Sequence, residues 1–343
     1  MTPADPQPIR EIGENRVVAR FRRMAGVGEG VVVGPGDDTA VVRIPGDRLA
    51  LFACDMMVEG IHFRQEWTTP EQIGWKAMAQ NLSDIAAMGG EPGFAVASVA
   101  ASGGTEESVV EGIARGLNEA ARRYGSTVVG GDLVGSPGPL VVDVAVLGWV
   151  EAALVLRREG ARPGDVVLVT GTLGASAAGL AACQRGLREG EDEAVARARR
   201  AHHEPVPRVP EGRAIAATRR ATAMMDVSDG LSEDLPRLCA ESGVGARVFA
   251  DRIPIDAACR AVAARLGLDA LGLATSGGED YELLLTCPES AVGEVAAAVS
   301  AHGGTALTAI GEVVARPGVV LVDTEGREGA LAAGFNHFAG EKE

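Results

Sequence analysis

Two hydrophobic periods alternate along this chain and divide it into strands and helices. Short runs rich in Val, Leu and Ala, bounded by Gly, Pro or Asp, predict strands at 31–33, 39–44, 49–54, 94–101, 127–129 and 140–150. Helical spacing predicts helices at 13–24, 70–88 and 106–124. The second is the best marked. Thr68 or Thr69 can cap it, Pro70 suits its first position, and Gly89-Gly90 end it. After the polar, turn-rich stretch 157–165 the alternation restarts, with strands at 166–170, 224–227, 247–250, 282–286 and 318–323. Helices are predicted there at 174–185, 189–200, 231–241 and 289–301, the mixed charges of 189–200 reading as a solvated face. The turn-rich stretch marks a boundary between two domains, 1–150 and 151–343. No repeat of 20–50 residues is visible.

Composition narrows the class. With 46% hydrophobic residues, 3% aromatic and 46 glycines, the 343 residues read as a soluble α/β or α+β protein. A net charge of −15 argues against a nucleic-acid or anionic-membrane surface, so a polyanionic substrate would need metals to supply positive charge. Five cysteines at irregular spacing form neither CxxC pairs nor a disulfide framework, and they suit a reducing cytosol. No signal peptide is visible, and no uninterrupted apolar run is long enough to span a membrane, so a cytoplasmic location is expected.

Chemistry enters with the acids. Gly34-Pro35-Gly36-Asp37-Asp38 holds two adjacent carboxylates between apolar strands, in a turn whose glycines let them be aimed at one point. Cys54-Asp55, Gly130-Gly131-Asp132 and Asp226-Val227-Ser228-Asp229-Gly230 repeat the apolar-strand-then-acid setting. One such spot is ordinarily a turn; four favour a site for several Mg²⁺ or Mn²⁺ ions with a phosphate ligand. Asp84 sits among Leu82, Ile85, Ala86 and Met88, where an acid is costly unless paired or metal-bound, and Asn81 shares its helix face. A salt bridge is the plainer explanation. In Thr275-Ser276-Gly277-Gly278-Glu279-Asp280-Tyr281-Glu282 two glycines precede an acidic pair, which suits either a ligand contact or a hairpin turn. No P-loop string occurs, and Gly171-Thr172-Leu173-Gly174 lacks the full dinucleotide spacing. His62 has no neighbouring Ser or Cys nucleophile, and His202-His203 read as surface residues rather than metal ligands.

Taken in order, these strings resemble a known family. Gly36-Asp37-Asp38, the run from Asp55 to Phe63, Trp75-Lys76 through Ser83-Asp84 to Met88-Gly89, Gly130-Gly131-Asp132, the run from Thr170 to Leu180, Met225 to Leu231, and Ser276 to Leu283 are similar to those of the thiamine-monophosphate kinases. These belong to the aminoimidazole-ribonucleotide-synthetase-like ATP-binding superfamily. The resemblance implies an α+β fold of two α/β domains. The N-terminal sheet would pair with that of a dimer mate into a barrel, and a C-terminal mixed sheet would pack with helices and complete the site. Strand 140–150, without charged edge protection, fits that homodimer. By the same resemblance Asp38, Asp55, Asp84, Asp132, Asp226 and Asp229 would hold Mg²⁺, with Ala53 and Cys54 offering only backbone carbonyls where hydroxyl residues are usual. Gly131, Asp132, Arg158 and Ser228 would contact ATP, and Tyr124 would pack on its adenine. His62, Glu279 and Phe335 would surround thiamine monophosphate. Leu133 and Glu204 replace a usual hydroxyl residue and a usual Arg.

The implied reaction, ATP-dependent phosphorylation of thiamine monophosphate to the diphosphate by direct in-line transfer, needs no strong general base. A phosphate monoester, with a second pKa of about 6, is already nucleophilic at neutral pH. The alternatives are another ATP-using member of the superfamily, a metal-dependent phosphohydrolase, and a non-catalytic nucleotide-binding regulator.

Overall fold

A computed structural model describes residues 30–34, 36–188, 190 and 192–331. The helix predicted at 13–24 and the candidate Phe335 lie outside them. Two sheets dominate. The first has six strands in the order β1 (Val31–Val33), β2 (Ala40–Arg43), β3 (Arg48–Val58), β6 (Val141–Glu151), β4 (Glu91–Ala101) and β5 (Thr127–Gly135). All its pairs are antiparallel except β4 with β5. Strand β2 pairs with β3 only as far as Phe52, so among the described residues the 53–58 segment of β3 extends past its neighbour with one edge open.

Helices α1 (Pro70–Ala87) and α2 (Glu107–Arg123) cover one face of this sheet. Thr69 caps α1 in a full capping box with Gln72, and Pro70 stands at its start. A surface helix shows one apolar stripe, whereas α1 is buried nearly all round, Lys76, Asn81 and Ser83 included. It can lie that deep because Gly74 of α1 and Gly116 of α2 let the two backbones touch; a Cβ on either would overlap the other helix's main chain. Among the described residues no helix or strand covers the opposite face of the sheet. Phe52, Met56, Phe94 and Val96 are each about half exposed there, in neighbouring rows of the ladder.

The second sheet is mixed, with seven strands in the order β13 (Glu328–Gly329), β12 (Gly318–Val322), β9 (Gly245–Phe249), β11 (Leu307–Val314), β7 (Asp165–Thr170), β10 (Leu283–Pro288) and β8 (Ala223–Asp226). Helix α6 (Leu231–Ser242) packs on one face over a core that includes Val167, Met225, Leu235 and Leu284. Helices α5 (Val209–Thr218) and α9 (Val292–Ser300) join the other face to α1. One continuous core therefore runs from Leu51 and Ile85 to Leu168 and Leu285. Helices α3 (Ala175–Gln184), α4 (Glu193–His203), α7 (Ala257–Leu266) and α8 (Ala270–Ser276) form a small helical layer beside it.

Three sequence expectations need correction. Gly130-Gly131-Asp132 lies inside β5 rather than in a turn after it. Strand 140–150 is β6, an interior strand, so it is not an unprotected edge; the unprotected apolar surface is the sheet's outer face. His202 and His203, expected as surface residues, are instead buried at the end of α4.

Candidate active site

The open edge of β3, the buried side of α1 and the turn after β8 enclose a cleft of about 740 Å³. Its acidic floor comes from three elements. Asp38 sits in the turn before β2, Asp84 in the last turn of α1, and Asp226 at the end of β8. Carboxylate oxygens of these three lie within 4.8 Å of one another. Asp55 joins them from β3, where its backbone N–H donates to Asn81 Oδ1 at 3.1 Å. The Ser83 hydroxyl donates to Asp226 at 2.5 Å.

So many like charges are costly in a dry place, and the acids are pushed towards protonation. Burial, followed by the charge of Asp229, raises Asp55 to about 6. Burial and then Asp38 raise Asp226 to about 8 and Asp37 to about 7. Asp84 is raised well above its ordinary value, by burial first and Asp55 next. Carboxylates converging at this spacing are an all-oxygen donor set suited to a hard divalent cation, so the residues fit Mg²⁺ or Mn²⁺.

Cations of the chain hold the rim. Arg158 reaches Asp38 by a two-pronged contact, at 2.8 and 3.2 Å, while its backbone N–H donates to Asp37. On the far side the turn after β8 is held by buried Asp234, which accepts from the backbone N–H groups of Ser228 and Asp229 at 3.0 Å each. Arg237 ties Asp229 to Asp234.

At the other end of the cleft stands Glu279. Its backbone adopts φ +58°, and Tyr281 adopts φ +51°, conformations that side-chain-bearing residues rarely take. Gly277 and Gly278 make that loop possible, because a Cβ on Gly278 would press on the main chain at Ser228 and Asp229. Glu279 N–H donates to Ser228 O at 2.7 Å and Tyr281 N–H to Val227 O at 2.9 Å. His62 faces the same end, in a tight turn where its Nδ1 accepts from Val58 N–H at 3.0 Å.

Asp38, Ala53, Cys54, Asp55, Asp84, Arg158, Asp226, Ser228, Asp229, His62 and Glu279 all line this one cleft. Cys54 lines it with its Sγ 3.5 Å from Asp143, and burial followed by that acid pushes the thiol up to about 11. Three candidates are not brought to it within a single chain. Gly131 and Asp132 lie exposed on edge strand β5. Tyr124, at the end of α2, packs edge-on against Trp75 with ring centres 6.4 Å apart. Glu204, in place of an Arg, accepts from Gln72 at 2.8 Å and so ties α4 to α1. The sequence reading missed Lys76 and His202, both buried against Glu279. A lysine at the centre of the apolar run 73–79 carries the same signal that singled out Asp84.

Comparison with known proteins fits this architecture. Residues 36–150 match the model of the AIR synthase related protein, N-terminal domain, and residues 162–324 that of the C-terminal domain. The class is thus a two-domain AIR-synthase-related protein. Thiamine-monophosphate kinase of Mycobacterium tuberculosis (strain H37Rv) is 38% identical over 331 residues, covering 96% of this chain and 93% of its own. That of Rhodopirellula baltica is 36% identical over 316 residues, 90% and 92% of the two chains. The solved complex of AaThiL with AMPPCP and TMP superposes with a TM-score of 0.85 at 30% identity, covering 97% of this chain and all of that one. The chain belongs to the thiamine-monophosphate kinase family. It is an enzyme, and none of its described helices is long and apolar enough to cross a membrane.

Proposed function

We propose that this enzyme transfers the γ-phosphoryl group of ATP to thiamine monophosphate, giving ADP and thiamine diphosphate. The observation that carries the reading is the convergence of Asp38, Asp84 and Asp226 on the floor of a cleft with Arg158 at one end and Glu279 at the other. Asp38, Asp84 and Asp226 would hold Mg²⁺, or Mn²⁺, with Asp55 and Asp229 alongside; bound there, it would offset the charge of the ATP phosphates and stabilise the transferring group.

The chain's own residues supply placement. Arg158 can turn its planar fork from Asp38 to a phosphate oxygen, and the backbone at Ser228, held by Asp234, offers a rigid wall for the nucleotide. His62 and Glu279 hold the acceptor at the opposite end, so that its phosphate faces the acidic floor. No side chain has to remove a proton, because the acceptor phosphate is already ionised. Phe335 remains a candidate for covering the thiamine ring.

We read the working unit as a homodimer. Strands β3 and β4 present Phe52, Met56, Phe94 and Val96 on the outer face of the first sheet. Asp132 aligns with Ser98 on that same side. Pairing this face with a second copy into a barrel would reconcile the outlying Gly131 and Asp132 with the ATP role the resemblance implies, each serving its partner's cleft. Incubation with ATP, Mg²⁺ and thiamine monophosphate tests the reaction. ADP and thiamine diphosphate in equal amounts are expected; release of free phosphate without diphosphate would overturn the reading.

A further inference from the structure

Glu279 has two buried partners besides its backbone ties. Lys76 Nζ lies 2.7 Å from its Oε1, and His202 Nδ1 lies 3.2 Å from its Oε2. The Lys76 side chain is 2% exposed and also donates to the backbone oxygen of His62 at 3.3 Å. His202 Nδ1 is also 3.1 Å from the Ser176 hydroxyl. The Glu279 side chain keeps a quarter of its surface open. A carboxylate has room for about four hydrogen bonds, so acceptor capacity remains on the cleft side.

We infer that Lys76 is a positioning residue for substrate selection: it cancels the charge of Glu279 and fixes that carboxylate as an acceptor for an N–H donor on a flat heteroaromatic ring, not as a counter-charge for a cation. This rests on the reading of the cleft as a thiamine-monophosphate site. Three observations converge on it. Lys76 lies inside α1 and is too buried to meet a ligand itself, yet it reaches both residues assigned to the acceptor end, His62 and Glu279. The loop carrying Glu279 is held in an unfavourable backbone conformation by hydrogen bonds to Val227 and Ser228, so the carboxylate has little freedom to turn elsewhere. An ammonium 2.7 Å away leaves the pair with no net charge, so a ligand cation would gain little from it. The ring nitrogen of His202 stays neutral, burial and then Lys76 holding it below its ordinary value. The aminopyrimidine of thiamine carries such an N–H donor, and its thiazolium is the cation this arrangement does not single out.

The test is a double-mutant cycle on the full chain, read as separate KM values for thiamine monophosphate and ATP. Lys76→Met and Glu279→Gln should each raise KM for thiamine monophosphate by roughly 10- to 100-fold, the factor for disturbing one buried charge-assisted hydrogen bond, with KM for ATP within about threefold. The double variant should be no worse than Glu279→Gln alone, because Lys76 acts through Glu279. Should Lys76→Met fail to fold, the double variant carries no unpaired buried charge from this pair and is compared with Glu279→Gln by itself. Losses that multiply in the double variant, or both KM values rising together, would overturn the inference. So would a folded Lys76→Met with unchanged KM.

A second arm uses the wild type with two analogues of the acceptor. Replacing the ring amino group by hydrogen, which leaves no N–H donor on the ring, should raise KM roughly 100-fold, and replacing the thiazolium by an uncharged thiophene should cost far less. The reverse order would show that Glu279 serves as a counter-charge. Wild type that makes no thiamine diphosphate at all would instead refute the function, which is a distinct outcome.

Discussion

Asp84 and Asp226 approach each other from a helix and a strand that are about 140 residues apart in sequence, and among the described residues no base forms an ion pair with either. Their value to the fold is poor and their value to a cation is high, so their loss should be felt in catalysis first. Asp84→Asn or Asp226→Asn should lower turnover by at least ~100-fold, since a catalytic metal contributes several kcal/mol, while the thermal midpoint holds or rises as like-charge repulsion is relieved. Steady-state rates and a melting curve on the same preparation check both halves. Cys54→Ser should leave turnover within a few fold, because the protonated thiol beside Asp143 offers no charge to a metal. These residues were legible in the sequence because an acid in an apolar setting needs a reason. The pairing of Lys76 and His202 with Glu279 was not, because Glu279 lies 203 residues beyond Lys76 and only the fold brings them together.

At the scale of elements, the acids couple the cleft to pH. Asp55, Asp37 and Asp226, raised to about 6, 7 and 8, bind protons more tightly folded than in an unfolded chain, where an Asp titrates near 3.9. Their contribution to stability is therefore complete below about pH 4 and is lost as the pH rises through 6 to 8. With a chelator present, the melting temperature should fall by several degrees between pH 5 and 9. Mg²⁺ should restore it most at the alkaline end. A midpoint that is flat or rising over that window would contradict the picture. Helix packing gives a second check. Gly116→Ala places a methyl group into the backbone of α1 and should destabilise by at least about 1–3 kcal/mol, measured by denaturant unfolding. Long elements with end signals, α1 above all, were readable from the chain. Helices α5, α7 and α8 and strand β11 were not. The first carries Pro210 and Gly212, the third has only 7 residues, and β11 is bent by a register shift near Gly311. Strand β5 was read only for 127–129; its continuation hid because its Gly-Gly pair, normally a strand breaker, lets the chain lie close against β4.

For the whole molecule, the bare face of the first sheet is the feature most in need of a partner. Val96→Lys puts a charge at its centre, outside the lining of its own chain's cleft. Light scattering at micromolar concentration should show a dimer for the wild type and a monomer for the variant, with phosphotransfer falling alongside. A wild-type monomer with full activity would refute the dimeric unit. Helix α1 carries a further consequence. Lys76, beside Glu279 at the proposed acceptor end, and Asp84, on the acidic floor, are eight residues apart on one rigid rod, a separation of about 12 Å at 1.5 Å per residue. The helix therefore acts as a ruler. A ligand whose ring and phosphate are joined by a longer or shorter tether can satisfy one end or the other, and chain length becomes a selected property even though no side chain reads the tether itself.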